Sequence, residues 1–190
     1  MKFMKKIGLI ILSLGFFTAV SCKDSKNTSD ETEPEVVTID NRPDQKELYA
    51  VADGDVVFKD EQVATIFNQY IQLQNALINT DGQKGQEESL EMLQLITASA
   101  IEDTEEIEGI LTTMSQTDDV ELQRSGFETV SSWIVETIEG NIESGTVYRQ
   151  YCPMAFNDRG AYWVSTDKKI LNPYFGDKML RCGRVETEIK

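Results

Sequence analysis

Apolar residues recur every three to four positions through four stretches between residues 60 and 138, and this spacing constrains the fold more than any other feature. Such a stripe is typical of a helix that buries one face. The four predicted stripes are Val63, Ile66, Phe67, Tyr70, Leu73, Leu77 and Ile78; Leu90, Leu93, Ile96 and Ala100; Ile107, Ile110, Leu111 and Met114; and Phe127, Val130, Ile134 and Ile138. Four amphipathic helices joined by short loops predict a mainly α fold, namely an antiparallel four-helix bundle.

Acidic residues mark the predicted starts of these helices. Asp60 is an N-cap candidate for the first helix, and the second is expected to begin near Glu87. Asp103 and Asp118 are each followed by glutamate at the third position, which is the spacing of a capping box. We therefore expect Asp103 and Asp118 to start the third and fourth helices.

The sequence pattern changes at Thr146. Residues 147–152 and 161–164 are β-prone and are separated by a turn signal at 157–160, and residues 184–189 are a candidate third strand. Three short strands are not stable alone in water, so we expect them to pack on the helices. The prediction is a single domain over 58–190, with a helical bundle at 58–145 and a small C-terminal β-hairpin or β element at 146–190.

The N-terminus has the layout of a secretory signal. A lysine-containing start, the apolar run IGLIILSLGFF and small residues precede Cys22. Residues 1–21 therefore resemble the signal peptide of a bacterial lipoprotein, in which the cysteine that follows carries the lipid. We expect lipidation at Cys22, attachment to a bacterial membrane, and an envelope location that is periplasmic or surface-exposed. An ordinary signal peptide and an N-terminal membrane helix are the alternatives.

Charge divides the chain where the pattern divides it. Residues 22–145 contain 28 acidic and 7 basic residues, a net charge of −21, whereas residues 146–190 contain 5 acidic and 8 basic residues, a net charge of +3. The acidic, Pro-containing stretch at 22–57 predicts a flexible tether. So acidic a chain argues against nucleic acid and against anionic lipid headgroups as partners, which leaves the lipid as the membrane anchor.

Histidine is absent, which limits the chemistry that the chain can perform. Metal sites built on His and Ser-His or Cys-His dyads are excluded. No Gly-x-Ser-x-Gly elbow, phosphate-binding glycine loop or EF-hand loop is present. Acidic clusters at predicted helix starts are explained by capping and by solvation. We therefore expect a protein that is not an enzyme.

Four soft sulfur donors lie in the C-terminal region: Cys152, Met154, Met179 and Cys182. Thiolate and thioether select Cu(I) over hard cations, so these residues are the candidate metal ligands. Residues i and i+2 of a strand share a side, so Cys152 and Met154 could face one cavity. Met179 and Cys182 would share a face if residues 178–183 form a helical turn.

A disulfide between Cys152 and Cys182 is the alternative interpretation. Cysteine pairs of envelope proteins are commonly oxidised, and Met154 and Met179 could then be packing residues. Both states are compatible with one chain, because a dithiol that binds metal can also oxidise.

Four short motifs carry a resemblance to a known family. They are residues 151–155 (Tyr-Cys-Pro-Met-Ala), 160–163 (Gly-Ala-Tyr-Trp), 172–176 (Asn-Pro-Tyr-Phe-Gly) and 179–183 (Met-Leu-Arg-Cys-Gly). In this order they resemble the C-terminal part of the domain of unknown function 3347 family. The stretches QYIQLQNALINTD and DDVELQRSGFETVS resemble its helices, so the resemblance covers about residues 58–190.

The resemblance implies a context rather than an activity. Members occur as envelope lipoproteins and as an added domain on heavy-metal efflux adaptors of the copper/silver type. This context favours Cu(I) as the bound ion and an efflux adaptor as a partner. A short metal-binding domain of similar context has Cys-Pro-Met-His, whereas Ala155 stands here in the histidine position. The ligand set of that domain therefore does not transfer to this chain.

Overall fold

A computed structural model describes residues 48–190 of the chain. The predicted signal peptide, Cys22 and the tether as far as residue 47 lie outside the described residues. The described part is mainly helical, with two small antiparallel sheets. None of the helices in this part has the length and apolar character needed to cross a membrane.

Four long helices follow one another along residues 61–138. They are α1 (Glu61–Ile78), α2 (Gly82–Ala98), α3 (Glu105–Met114) and α4 (Val120–Ile138). Helix α1 packs on α2 and α4, and α3 packs on both α2 and α4. Every residue of the stripes predicted for α1 and α4 is buried. The helical periodicity therefore identified the core faces of these two helices correctly.

The predicted stripe of α2 is only partly correct, since Ile96 is buried and Leu93 packs against the core, but Leu90 and Ala100 are exposed. Leu90 is 46% exposed, and the buried face carries Gly85, Glu88, Ser89, Met92 and Ile96. Glu88 is tolerated inside because Lys84 Nζ lies 2.7 Å from its carboxylate and Gln69 Nε2 donates to it. Buried charge that is paired and hydrogen-bonded in this way mimics a polar face in the sequence.

Two predicted helix starts are displaced by one residue, and one by five. Asp60 caps α1 as predicted, with its carboxylate accepting from Gln62 N at 2.7 Å. The cap of α4 is Asp119 rather than Asp118, and the cap of α3 is Thr104 rather than Asp103. Helix α2 begins at Gly82 instead of near Glu87, because the side chain of Asp81 accepts from Lys84 N at 3.0 Å.

The three predicted C-terminal strands form one antiparallel sheet. Strands β1 (Val57–Phe58) and β2 (Ile142–Ser144) make a separate pair, while β3 (Val147–Cys152) lies between β4 (Ala161–Ser165) and β5 (Arg184–Ile189). Strand β4 packs on α4. The C-terminal β element therefore rests on the helices, as its small size requires.

Tyrosine and arginine side chains stack across this sheet. The Arg149 guanidinium lies 4.0 Å from the centre of the Tyr162 ring, and the Tyr162 and Tyr151 rings are 4.5 Å apart. The Arg184 guanidinium covers Tyr151 at 4.9 Å. Part of the positive charge of residues 146–190 is thus placed on aromatic faces, where it is stabilised.

Aromatic residues also join the sheet to the helices. The Tyr70 ring stacks on Phe127 with centroids 5.0 Å apart, and Phe127 contacts Tyr174 at 6.0 Å. The Tyr70 hydroxyl lies 2.9 Å from Ser131 Oγ and accepts from Val164 N of β4 at 3.2 Å. Burial raises the pKa of Tyr70 well above its ordinary range, so this hydroxyl stays neutral and serves the packing.

The segment before β1 is bound to the end of α1. Tyr49 N donates to Asn79 Oδ1 at 2.8 Å, and Asn79 Nδ2 donates back to Tyr49 O at 2.7 Å. Val51 N donates to Asn75 Oδ1 at 2.9 Å. Residues 49–51, which the composition assigns to the tether, therefore contact the helices through their backbone.

Candidate functional site

Cys152 occupies the last position of β3, beside β4. Its partner across the ladder is Ala161, and Cys152 is fully buried. The strand therefore holds this sulfur in a fixed, water-excluded position.

Cys182 lies close to Cys152 on the side of β3 that pairs with β5. Tyr151 is paired with Arg184 of β5, so Cys182 lies just before the strand that flanks β3. Its backbone N–H donates to Met179 O at 3.0 Å, which closes a turn. The two sulfurs are 2.9 Å apart, and Cys182 is only partly buried. One thiol is thus enclosed and the other is reachable.

Gly183 permits this approach. Its φ is +145°, in a region that disfavours side chains, and a Cβ atom there would lie 2.9 Å from both the Trp163 ring and Tyr151 O. The backbone beside Cys182 therefore passes directly against β3 and the Trp163 ring, as only glycine permits. The Cys-Gly pair in the sequence was a signal for this close contact.

A left-handed turn follows Cys152. Phe156, Asn157 and Asp158 have φ values of 51°, 56° and 64°, although none is glycine. Their cost is offset by the Phe156 ring, whose centroid lies 5.3 Å from that of Tyr174, and by the Gly160 N–H, which donates to Ala155 O at 2.9 Å. The turn leads the chain directly from β3 into β4.

The two methionines are placed differently from the predictions. Strand β3 ends at Cys152, so the alternation that would align Met154 with Cys152 stops, and Met154 is 46% exposed. A helical turn over 178–183, which was the condition for Met179 and Cys182 to share a face, does not form, because the 3₁₀ helix Gly176–Lys178 ends before Met179, whose φ is −147°. The structure therefore brings together the two cysteines, with Met154 and Met179 contributing backbone groups near them.

The electrostatics of Cys182 favour the protonated thiol. Burial first, and then the contact with Cys152, raise the pKa of Cys182 to about 11, against a smaller lowering by the Met154 N–H. Reduced Cys182 is therefore protonated at neutral pH, and a metal ion must displace this proton to bind the sulfur.

This pKa has a measurable consequence. At pH 8 we expect iodoacetamide to alkylate Cys182 of the reduced, folded protein about 100-fold more slowly than in the urea-unfolded chain, because the thiolate is the nucleophile. The folded-state pKa is raised, so the reduced protein also loses stability as the pH rises from about 9 towards 11. Peptide mass spectrometry of timed samples gives the rates, and equal rates in the folded and unfolded chains would contradict the assignment.

Two polar residues that the sequence did not indicate as functional hold residues 172–183, the Cys182 loop, in place. Arg124 of α4 is 1% exposed, and its Nε donates to Pro173 O at 2.9 Å. Asn172 is fully buried and donates to Cys182 O. Asn172 opens one of the sequence motifs, but nothing in the local sequence pairs Arg124 with a carbonyl 49 residues away.

Nitrogen and carboxylate ligands do not complete the cysteine pair. Across residues 48–190 no group of three or more His, Cys, Asp or Glu side chains is arranged to hold a metal ion. Any ion at this site would be held by the Cys152 and Cys182 sulfurs, with thioether as the remaining soft donor. Such a donor set fits a low-coordinate soft ion and does not fit a hard cation.

Residues 66–145 match the family described as "Protein of unknown function (DUF3347)". The match covers most of α1 together with α2, α3, α4 and β2, and it ends before either cysteine of the site. It confirms the family resemblance for the helical part of the chain. No curated protein and no solved structure matches this chain.

Proposed function

We propose, from the premise that this chain belongs to the DUF3347 family through residues 66–145, that it is a non-enzymatic soft-metal-binding protein of the cell envelope. The bound ion in this proposal is Cu(I), and the ligands are the Cys152 and Cys182 thiolates. Met154 and Met179 are the candidate thioether ligands. No catalytic step is assigned to the chain.

The carrying observation is the convergence of the two thiols, with Cys152 enclosed on a strand and Cys182 reachable on a loop. Bonds of about 2.3 Å from one ion to two sulfurs hold those sulfurs about 3.8–4.6 Å apart. The present separation is 2.9 Å. Binding therefore requires Cys182 to move outward by about 1 Å or more, towards solvent, while β3 keeps Cys152 in place.

Binding should be strongly pH-dependent. Each thiol that becomes a ligand gives up its proton, and Cys182 holds its proton tightly because its pKa is about 11. Release of the Cys182 proton alone should raise the apparent affinity for Cu(I) about tenfold per pH unit between pH 6 and 8.

Competition titration of Cu(I) against a chromogenic chelator tests the proposal on reduced protein lacking residues 1–21. We expect one ion per chain, with Cys152→Ser and Cys182→Ser each weakening binding at least 100-fold. Met154→Leu and Met179→Leu preserve side-chain size and remove only the thioether, so a loss of about tenfold in either identifies that sulfur as a ligand. Equal affinity of the wild type and the double cysteine variant would refute Cu(I) binding at this site.

The second candidate function is a disulfide-stapled structural or interaction module that binds no metal. The short distance between the two sulfurs favours it, since a disulfide forms without any outward movement of Cys182. The intact mass of protein isolated without reductant distinguishes the two candidates. A mass about 2 Da below the dithiol value, with no copper retained, supports the disulfide-bonded structural module.

The proposed membrane anchor, partner and helix arrangement rest on the sequence. A lipid on Cys22 would anchor the chain to a bacterial membrane, with a heavy-metal efflux adaptor as partner, and the four long helices would form an antiparallel four-helix bundle that carries the site. Globomycin treatment of producing cells tests the anchor, because it should cause accumulation of the uncleaved precursor.

A further inference from the structure

We propose that Asn172 is a positioning residue that holds Cys182 against Cys152 and thereby sets the redox equilibrium of the thiol pair. The inference rests on the proposed function in one respect, namely that Cys152 and Cys182 are the functional residues of the protein. Nothing in the inference requires a metal.

Both polar atoms of the Asn172 side chain form hydrogen bonds within the Cys182 loop. Its Nδ2 donates to Cys182 O at 2.6 Å, while its Oδ1 accepts from Tyr174 N at 2.8 Å and from Phe175 N at 3.2 Å. Its backbone N–H donates to Leu180 O at 2.9 Å. The side chain is fully buried, so water does not replace these bonds.

The two thiols are consequently fixed by different means. Cys152 is fixed by the hydrogen-bond ladder of β3, which pairs on both sides. Cys182 precedes β5, and the carbonyl of Cys182 is held across ten residues by Asn172. Without that bond the residues between Asn172 and Gly183 gain conformational freedom in the reduced protein. This conformational entropy must be lost again before the two sulfurs can meet, which disfavours their contact.

The measurable quantity is the effective concentration of the thiol pair. Oxidised glutathione accepts the two electrons of the pair, so that two S–H bonds are lost, one Cys152–Cys182 S–S bond forms and two reduced glutathione molecules carry away the protons. A loop that is already closed when reduced favours this reaction. A loop that opens when reduced disfavours it.

Two substitutions separate the roles of the Asn172 side chain. Asn172→Asp keeps an acceptor for Tyr174 and Phe175 but removes the donor to Cys182 O, and Asn172→Ala removes both. Asn79→Ala is the matched control, because the Asn79 side chain ties the backbone of Tyr49 to the end of α1 through similar bonds. Each protein is equilibrated with glutathione buffers, quenched with acid and analysed by mass, under conditions in which circular dichroism shows it folded.

We expect the equilibrium constant for oxidation to fall at least tenfold in Asn172→Asp and Asn172→Ala, with the alkylation rate of Cys182 rising at least tenfold. Asn79→Ala should stay within twofold of the wild type in both measurements. A fall below tenfold in both Asn172 variants, or an equal fall in Asn79→Ala, overturns the proposal. If wild-type protein fails to bind Cu(I) but the Asn172 effect is present, the positioning role stands and the metal function fails.

Discussion

Replacing Arg124 by alanine is expected to lower the free energy of unfolding by about 3 kcal/mol. The guanidinium is buried between three parts of the chain. It donates to Pro173 O at 2.9 Å, and its Nη2 donates to Leu77 O and Thr80 Oγ1, both at 3.1 Å. Alanine leaves Pro173 O without this donor and Leu77 O with the Thr80 N–H, and it removes the link between α4, the end of α1 and the loop that leads to Cys182.

Urea unfolding followed by circular dichroism measures this effect, and Glu121→Gln is its control. Glu121 pairs with Arg124 Nη1 at 2.7 Å but its side chain is 64% exposed. Neutralising it should cost less than about 1 kcal/mol, as for other exposed ion pairs. Arg124→Lys should cost more than Glu121→Gln, because one ammonium does not reproduce the planar fork of donors. A loss below 1 kcal/mol in Arg124→Ala would show that water or neighbouring groups satisfy the carbonyls.

Oxidation of Cys152 and Cys182 to a disulfide is expected to raise the free energy of unfolding by about 3–4 kcal/mol. The cysteines are 30 residues apart in the chain, and closing a loop of that length restricts the unfolded chain by about this amount. The sulfurs already face each other in the folded dithiol, so the folded state changes little. The gain therefore comes mainly from the unfolded ensemble.

Unfolding of oxidised and fully reduced wild-type protein under identical conditions gives this difference. Cys182→Ser serves as the control, since an oxidant finds no intramolecular partner for Cys152 in that variant. Its stability should be the same with and without oxidant. No difference between oxidised and reduced wild-type protein would indicate that strain in the folded disulfide cancels the loop effect.

The local sequence pattern was sufficient to predict the buried face of a helix wherever a stripe of apolar residues marks that face. The faces of α1 and α4 were predicted because a complete stripe of apolar residues marks each buried face, although Gln74 of α1 and Arg124 of α4 are buried as well. The first half of the α2 stripe was predicted incorrectly because Glu88 and Ser89 are buried and Leu90 is exposed. The bonds that make Glu88 acceptable come from Lys84 one turn away and from Gln69 on α1. Hydrophobic periodicity contains no information about such tertiary partners.

The candidate site was predictable as a pair but not as a constellation. The sequence indicated Cys152 and Cys182 as a pair from their chemistry, and their proximity results from the pairing of β5 with β3, which the sequence pattern did not predict. The positions of Met154 and Met179 depend on where β3 ends, at Cys152, and on where the 3₁₀ helix ends, at Lys178. Arg124 and Asn172 act through backbone carbonyls, which every residue possesses, so their partners leave no trace in side-chain identity.

The pairing of Tyr49 with Asn79 also determines how the protein would carry mechanical load. Tension applied to the chain ahead of Leu48 is borne first by the two backbone bonds of Tyr49 to Asn79, and next by the bond of Val51 to Asn75. These contacts lie on the last turns of α1, far along the chain from the cysteines. A protein pulled from its N-terminal side would therefore yield first at the contacts that residues 49–51 make with the end of α1.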